Sequence, residues 1–514
     1  MVVPELRSWR AARPRAARIA GALRPRLVRL GRAVSAQVTR PKTWQYTAGA
    51  ATVGLALAVG VVTAAGPWDS SGQRTAERDR AAAQEHTGGA DHGRNSATTA
   101  TAPRPAPSAA SVLSGLSGSA GRVKSAPGGK ALAGVLDPLL DAPALGNRHS
   151  SSVVDVTTGK RLYGAGAGTA LTPASTTKIA TAAAALSALG PDHRLTTRAA
   201  LEPDTEELVL VGGGDPTLTA REDAEGLASL RALAKDTAAA LKKDGVREVT
   251  LSYDTTLYAG DEVHPIGVND NLAQVSALMA DEARTDDSAS GPAPRAADPA
   301  AEAARTFADL LKDHGISTTS PGPSKATDRA ETLAEVSSPP LSALVERMLT
   351  NSDNDIAEAL ARQTAIATGE RPDFDGAGRA IRAELKRLGL PVTGADFKDG
   401  SGLNRGDLLT ADTLTALLAK SGDLAHPELR PILTGLPVAG FTGTLTSRYT
   451  DGAAGVVRAK TGTLTGVNAL AGTVVDQDGH LLAFAFLATD TTDPAAAQSA
   501  LDAAATALAA CGCG

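Results

Sequence analysis

From Thr43 to Trp68 the chain carries no charged side chain, and Tyr46 to Gly66 is almost wholly Ala, Val, Leu, Gly and Thr. Those 21 residues would span about 30 Å as a helix, enough to cross a bilayer's hydrocarbon core. Trp44, Tyr46 and Trp68 mark its two ends, where amphipathic rings prefer to sit. Residues 69–130 change character, being rich in Ala, Ser, Thr, Gly and Pro without helix or strand periodicity. They read as a disordered linker whose average reach is roughly 40–50 Å. Globular patterning begins near Ala131. Ser152–Val156 and Lys160–Tyr163 flank a turn at Thr158-Gly159 and predict a hairpin. A helix follows, with Thr172 as cap and Pro173 at its first position, ending at Gly190-Pro191. Its body, Ile179 to Leu189, is apolar on every face, which predicts a central, buried helix.

Residues 200–335 mix strands (Glu207–Val211, Glu248–Ser252) with helices (Glu225–Lys243, Pro299–His314), and from Pro340 to about Leu388 the pattern is helical. Three strand-like runs follow, Gly455–Gly462, Asn468–Val475 and His480–Ala488, with a turn at Asp478-Gly479 and a closing helix from Pro494 to Ala510. The pattern predicts an α+β fold in which N- and C-terminal strands share one antiparallel sheet flanked by helices. The expected organisation is a basic cytoplasmic segment (1–42), a transmembrane anchor or signal (43–68), the linker (69–130), a catalytic domain (131–200 and 335–510) and a smaller inserted α/β domain (201–334).

Charge sharpens this division. Of 51 Lys and Arg, eleven fall in residues 1–42 against the single acid Glu5, leaving 40 basic and 55 acidic residues in the remainder. The basic block should stay in the cytoplasm, which places the body outside; a signal peptide cleaved near Thr63–Ala65 is the rival and gives the same topology. An acidic body excludes nucleic acid as a partner, since phosphate contacts need clustered cations. The only cysteines, Cys511 and Cys513, lie in a terminal Cys-Gly-Cys-Gly, read as an exposed tail, with a terminal disulfide or a redox-labile pair as the alternative. They cannot build a disulfide framework or close a zinc site. No cofactor or metal is expected.

Three motifs occur once each: Ser175-Thr-Thr-Lys178, Ser352-Asp353-Asn354 and Lys460-Thr461-Gly462. Ser175 and Lys178 are three apart at a helix start, hence on one face. A serine hydroxyl needs a base, and a lysine serves only when neutral. Burial and a second cation at Lys460 should disfavour the charged form of Lys178. Each motif alone also has a plain structural reading: a cap-region serine beside a surface lysine, a helix N-cap, and an edge-strand lysine. Gly212-Gly213-Gly214 is not followed by Gly-Lys-Ser/Thr and reads as a tight turn. The eight histidines are scattered and need no catalytic role. Asp399 and Ser401 could line a site, but a Gly-rich turn explains them.

In this order the trio resembles the signature of class A β-lactamases and penicillin-binding proteins. With Val211-Gly-Gly-Gly-Asp-Pro-Thr-Leu218, Asp399-Gly-Ser-Gly-Leu403 and Gly443-Thr-Leu445, the stretch from Ala131 to Ala510 is similar to the D-Ala-D-Ala carboxypeptidase/endopeptidase family S13. The resemblance implies a serine β-lactamase/transpeptidase-like fold with domains inserted between the first two motifs. It implies Ser175 as nucleophile, Lys178 as base and Ser352 as proton donor to the leaving amine. Asn354 would bind the substrate amide, and Lys460, Thr461, Gly462 and Thr463 the terminal carboxylate and backbone. The oxyanion hole would be the backbone N–H groups of Ser175 and Thr463. The substrate would be peptidoglycan stem peptides, and β-lactam antibiotics would be covalent inhibitors. A β-lactamase is one alternative, although Glu358, Glu370, Glu384 and Glu428 lack the Glu-x-x-Leu-Asn context of a deacylating glutamate. A non-catalytic wall-binding protein is another. Two departures stand out: the insertion is shorter than in larger members, and the basic N-terminus with its linker is not a family feature.

Overall fold

The computed structural model describes residues 127–449 and 452–512. The basic segment, Tyr46–Gly66 and residues 69–126 of the expected linker lie outside the described residues. Among those described, no helix is long and apolar enough to cross a membrane.

Helix α1 (Gly129–Leu140) opens the described chain and is followed by the hairpin β1 (Arg148–Asp155) and β2 (Arg161–Ala165). The C-terminal meander is β9 (Arg458–Leu464), β10 (Val467–Val475) and β11 (Leu481–Thr489), closed by a helix over Pro494–Ala509. These strands form one antiparallel sheet in the order β2-β1-β11-β10-β9. Arg148 pairs with Thr489 and Asp155 with Leu482, so the two ends of the domain are joined along a full strand.

The alternation along β11 shows why both faces of this sheet are apolar. Leu482, Phe484, Phe486 and Ala488 pack with α1 and the C-terminal helix. Ala483, Ala485 and Leu487 face the other cluster, which contains the helix α2 (Thr177–Leu189). Opposite faces follow from the period of two. The small alanines on the α2 side let that helix lie close, and α2 is buried continuously from Thr177 to Leu186. The same face takes α5 (Leu341–Asn351), α6 (Asn354–Thr368), α7 (Phe374–Arg387), α8 (Ala411–Ser421) and α9 (Arg430–Gly435). The labels α3 and α4 belong to Leu230–Lys243 and Pro299–Asp313, which pack on a second sheet.

That sheet runs β6-β5-β4-β3-β8, with β7 also pairing β5. Its strands are β3 (Thr196–Leu201), β4 (Glu207–Val211), β5 (Glu248–Asp254), β6 (Ser317–Thr318), β7 (Gly322–Pro323) and β8 (Glu331–Ser337). β4 and β5 are parallel, whereas β3 is antiparallel to both β4 and β8.

Three local expectations need correction. The catalytic-side helix does not start at a Thr172 cap: Ala174 turns the chain at φ 47, a 3₁₀ turn covers Ala174–Thr176, and α2 follows. The Thr172 hydroxyl instead donates to the Arg405 carbonyl. The helix expected from Glu225 begins at Leu230, because Glu225 and Gly226 both have positive φ and Ser229 supplies the cap. Cys511 is not exposed: it is buried with Ala505 and Leu508 against the outer face of the first sheet.

Candidate active site

The three motifs come from separate elements, and the fold brings them together. Ser175 sits in the 3₁₀ turn, half-buried, and Lys178 lies one turn on, in the first turn of α2 and fully buried. Lys178 Nζ is 3.3 Å from Ser175 Oγ, 2.6 Å from Asn354 Oδ1 and 2.7 Å from the Ser401 carbonyl. Ser352 closes α5 in the left-handed region at φ 59, a conformation a non-glycine residue adopts at a cost. Asp353 then caps α6, accepting from the Ile356 N–H. The cap reading is therefore correct for Asp353, and it leaves Ser352 and Asn354 free to face the same cavity. Asn354 also donates from Nδ2 to the Asn271 carbonyl.

On β9, Lys460 is fully buried, and its Nζ reaches Ser352 Oγ at 2.8 Å and the Thr461 carbonyl at 2.9 Å. The Thr461 hydroxyl donates to Thr444. Gly462 packs so close to the serine turn that a Cβ would lie 2.6 Å from the Pro173 carbonyl. Thr463 is exposed at the rim. Ser175, Ser352, Asn354, Thr444 and Thr463 line one cavity of about 300 Å³, whose far wall comes from Asn271 and residues 284–295.

Burial is the main influence on both lysines. It lowers Lys178 from 10.5 to about 8, against the pull of the anions Asp399, Glu358, Asp353 and Asp407. Lys460 falls well below its ordinary value through burial, then through repulsion from Lys178 and Arg448. The second cation was expected to act on Lys178. The order is reversed because the anions crowd around Lys178, so the repulsion falls on Lys460.

Sequence reasoning missed how the Asp399–Asn404 loop works. It is a Gly-rich turn, as expected, but its Ser401 carbonyl accepts from Lys178. A main-chain acceptor leaves no mark in the sequence. The loop is held from beneath. Glu358 accepts from the Gly400 and Ser401 N–H groups, and Asp399 accepts from those of Gly402 and Asn404. His264 Nε2 lies 2.9 Å from Asp399 Oδ2. Gly402, at φ 81, is where a Cβ would come within 2.0 Å of the Ala174 carbonyl. Among the described residues, two groups could offer metal ligands, His264–Glu358–Asp399 and Glu282–Asp353–Asp355. The first is engaged by the loop N–H donors, and the second is paired with Arg284, Arg295 and Arg347.

The model of the D-Ala-D-Ala carboxypeptidase 3 (S13) family matches residues 132–294 and 287–508. Carboxypeptidase DacB of Mycolicibacterium smegmatis is 35% identical over 404 residues, covering 75% of this chain and 85% of that protein. The D-alanyl-D-alanine carboxypeptidase of an Actinomadura species is 31% identical over 436 residues, covering 67% and 79%. Among solved structures, penicillin binding protein 4 (dacB) of Haemophilus influenzae superposes with a TM-score of 0.59 at 21% identity, covering 70% of this chain and 94% of that one. The shared fold is the α+β transpeptidase-like fold.

The close approach at Gly402 gives a direct test. Gly402→Ala should cost at least about 2 kcal/mol of unfolding free energy in denaturant titration, from positive φ plus the clash with Ala174. Gly389→Ala, with a similar φ of 73 but open space around it, should cost only about 1 kcal/mol.

Proposed function

The chain belongs to the D-Ala-D-Ala carboxypeptidase 3 (S13) family, and on that premise we propose that it is a serine D-Ala-D-Ala carboxypeptidase acting on peptidoglycan stem peptides through an acyl-enzyme on Ser175. The observation that carries the assignment of roles is the set of partners around Lys178 Nζ. A neutral amine has two N–H donors and one lone pair. The Asn354 amide oxygen and the Ser401 carbonyl can only accept, so they take the two donors. The lone pair is left for the Ser175 hydroxyl proton. Burial favours that neutral form. At about 1.4 kcal/mol for each tenfold change, the fall from 10.5 to about 8 is worth roughly 3 kcal/mol against the charged amine.

In this reading Ser175 Oγ attacks the carbonyl carbon between the two D-alanines as Lys178 takes its proton. The Ser175 N–H and Thr463 N–H stabilise the oxyanion. The C–N bond then breaks, Ser352 gives its proton to the leaving amine, and Lys460, hydrogen-bonded to Ser352, supports that transfer. The terminal D-Ala carboxylate lies against Lys460, Thr461 and Thr463, and its charge favours a protonated Lys460. Asn354 binds the substrate amide, and Gly462 leaves room for substrate along β9. Water hydrolyses the ester. The same site could cut cross-links between stem peptides. A penicillin enters by the same attack, but its leaving amine stays tethered. The β-lactamase alternative needs a glutamate holding a water at the ester. Glu358 in that interval is instead buried and committed to the Gly400 and Ser401 amides, which disfavours it.

We carry three further readings with this one. Tyr46–Gly66 is an uncleaved membrane anchor that places the enzyme outside the cytoplasm, and residues 69–128, up to the start of α1, tether it. Residues 201–334 are an inserted domain, supported by the separate core around Phe307 and Leu233.

Fluorescent penicillin should label the wild-type protein and persist, and Ser175→Ala should take no label. Adduct turnover within seconds would revive the β-lactamase alternative. Acylation should rise with pH and level off above about 8, because only the neutral form of Lys178, raised in population as pH passes its lowered pKa, can accept the proton. An acylation rate independent of pH between 6 and 9 would remove Lys178 as the base. The full-length protein should stay with membranes through a high-salt wash, which screens charge but leaves a spanning helix in place. Release by salt, or a mature N-terminus near Ala65, would contradict the anchor.

A further inference from the structure

Among the described histidines, His264 is the one whose surroundings connect it to the reacting groups. It lies between β5 and α4, on the segment that separates the first two motifs, yet it is buried at 3% exposure against the catalytic side of the molecule. Its ring meets Phe374 edge-on, with centroids 5.2 Å apart, and the Arg362 guanidinium covers that phenylalanine at 4.2 Å. Both ring nitrogens are engaged. Nδ1 accepts from the Ile266 N–H at 3.2 Å, so in the neutral ring the proton is on Nε2, which faces Asp399 Oδ2 at 2.9 Å.

Asp399 in turn fixes the loop. Its two oxygens take the Gly402 and Asn404 N–H groups, each at 2.6 Å. Asp407 adds a second buried carboxyl beside Asp399; its Oδ1 accepts from the Lys398 N–H, and its Oδ2 has no hydrogen-bond partner. Burial, then the neighbouring charge of Asp399, pushes Asp407 well up. His264 Nε2 and the Gly402 and Asn404 N–H groups therefore converge on one carboxylate, and that carboxylate holds the loop whose Ser401 carbonyl anchors Lys178 at 2.7 Å.

We propose that His264 is a positioning residue for acyl transfer: its Nε2–H bond to Asp399 holds the 399–404 loop in the register that keeps Lys178 directed at Ser175. The inference rests on the acyl-enzyme reading above and adds to it that the segment between the first two motifs contributes to the chemistry. Without this bond, one of the three partners that orient Lys178 is free to drift, and misplacing a base by an ångström is enough to slow a reaction strongly. Penicillin would still be bound, because His264 touches no part of the cavity that holds it.

Two substitutions separate the two ring bonds. His264→Asn places an amide oxygen where Nδ1 accepts from Ile266 but has nothing that reaches Asp399. His264→Gln places an amide N–H near the position of Nε2 and gives up the Ile266 bond. Acylation by penicillin is followed by stopped flow in the full-length protein, with rates counted per site that finally binds label, so unfolded material does not enter. The expected result is a first-order acylation constant about tenfold lower in His264→Asn, with the non-covalent penicillin affinity unchanged within about twofold. In His264→Gln the constant should recover to within about threefold of wild type. Equal rates in His264→Asn and wild type, or equal losses in both variants, would overturn the proposal and leave His264 a packing residue. A measurement on the wild-type protein does not depend on the variants folding. ¹⁵N-histidine spectra should show the His264 Nε2 carrying a proton, and a ring protonated on Nδ1 alone would overturn the proposal. A wild-type protein that penicillin does not acylate would instead refute the acyl-enzyme reading.

Discussion

Everything at this site depends on a lysine amine held out of water. Lys178 has no solvent, so its three neighbours must satisfy it, and those neighbours are drawn from three parts of the chain: the serine turn, the start of α6, and the Asp399–Asn404 loop. Burial pushes the charge off the amine. The nearby carboxylates push it back, and their effect is limited because they are themselves engaged by N–H groups of the loop and by His264. The result, near 8, leaves a useful fraction of neutral base at ordinary pH.

The fold serves this constraint through close packing of small groups. Alanines on the inner face of β10 and β11 bring α2 against the sheet, and Gly462 and Gly402 let two backbones approach the serine turn closely. Some of the backbone strain lies here. Ala174 and Ser352 both take positive φ next to the reacting groups, and the packing around them holds both conformations in place. Beneath Ser352, three buried acids with the buried Arg284 and Arg295 and the partly exposed Arg347 tie the Ser352–Asn354 turn to residues 282–295.

Much of this was legible in the sequence. The meander, the hairpin and the buried helix announce themselves by period two, by a Thr158-Gly159 turn and by unbroken apolarity, and their observed bounds differ from the expected ones by a few residues. The strands β3 and β8 were not legible. β3 reads Thr-Thr-Arg-Ala-Ala-Leu, and β8 carries four exposed polar residues among its seven, Glu331, Thr332, Glu335 and Ser337, so neither has an apolar stripe to detect. The helices α8 and α9 were also missed, the latter only six residues long with a proline in its first turn. For the site, motif residues could be named because their side chains carry the chemistry. The Ser401 carbonyl could not, since any residue supplies one. His264 had no signal either: its meaning comes from a contact 135 positions away.

The central claim is that Ser175 carries an acyl group on the way to releasing one D-alanine. Mass spectrometry of a defined pentapeptide ending in D-Ala-D-Ala, with the enzyme quenched during turnover, tests it most directly. The account predicts a product one alanine shorter and a transient protein adduct equal in mass to the peptidyl group, located on the tryptic fragment that contains Ser175. Release of alanine at an undiminished rate by Ser175→Ala, or cleavage at another bond of the stem, would contradict it.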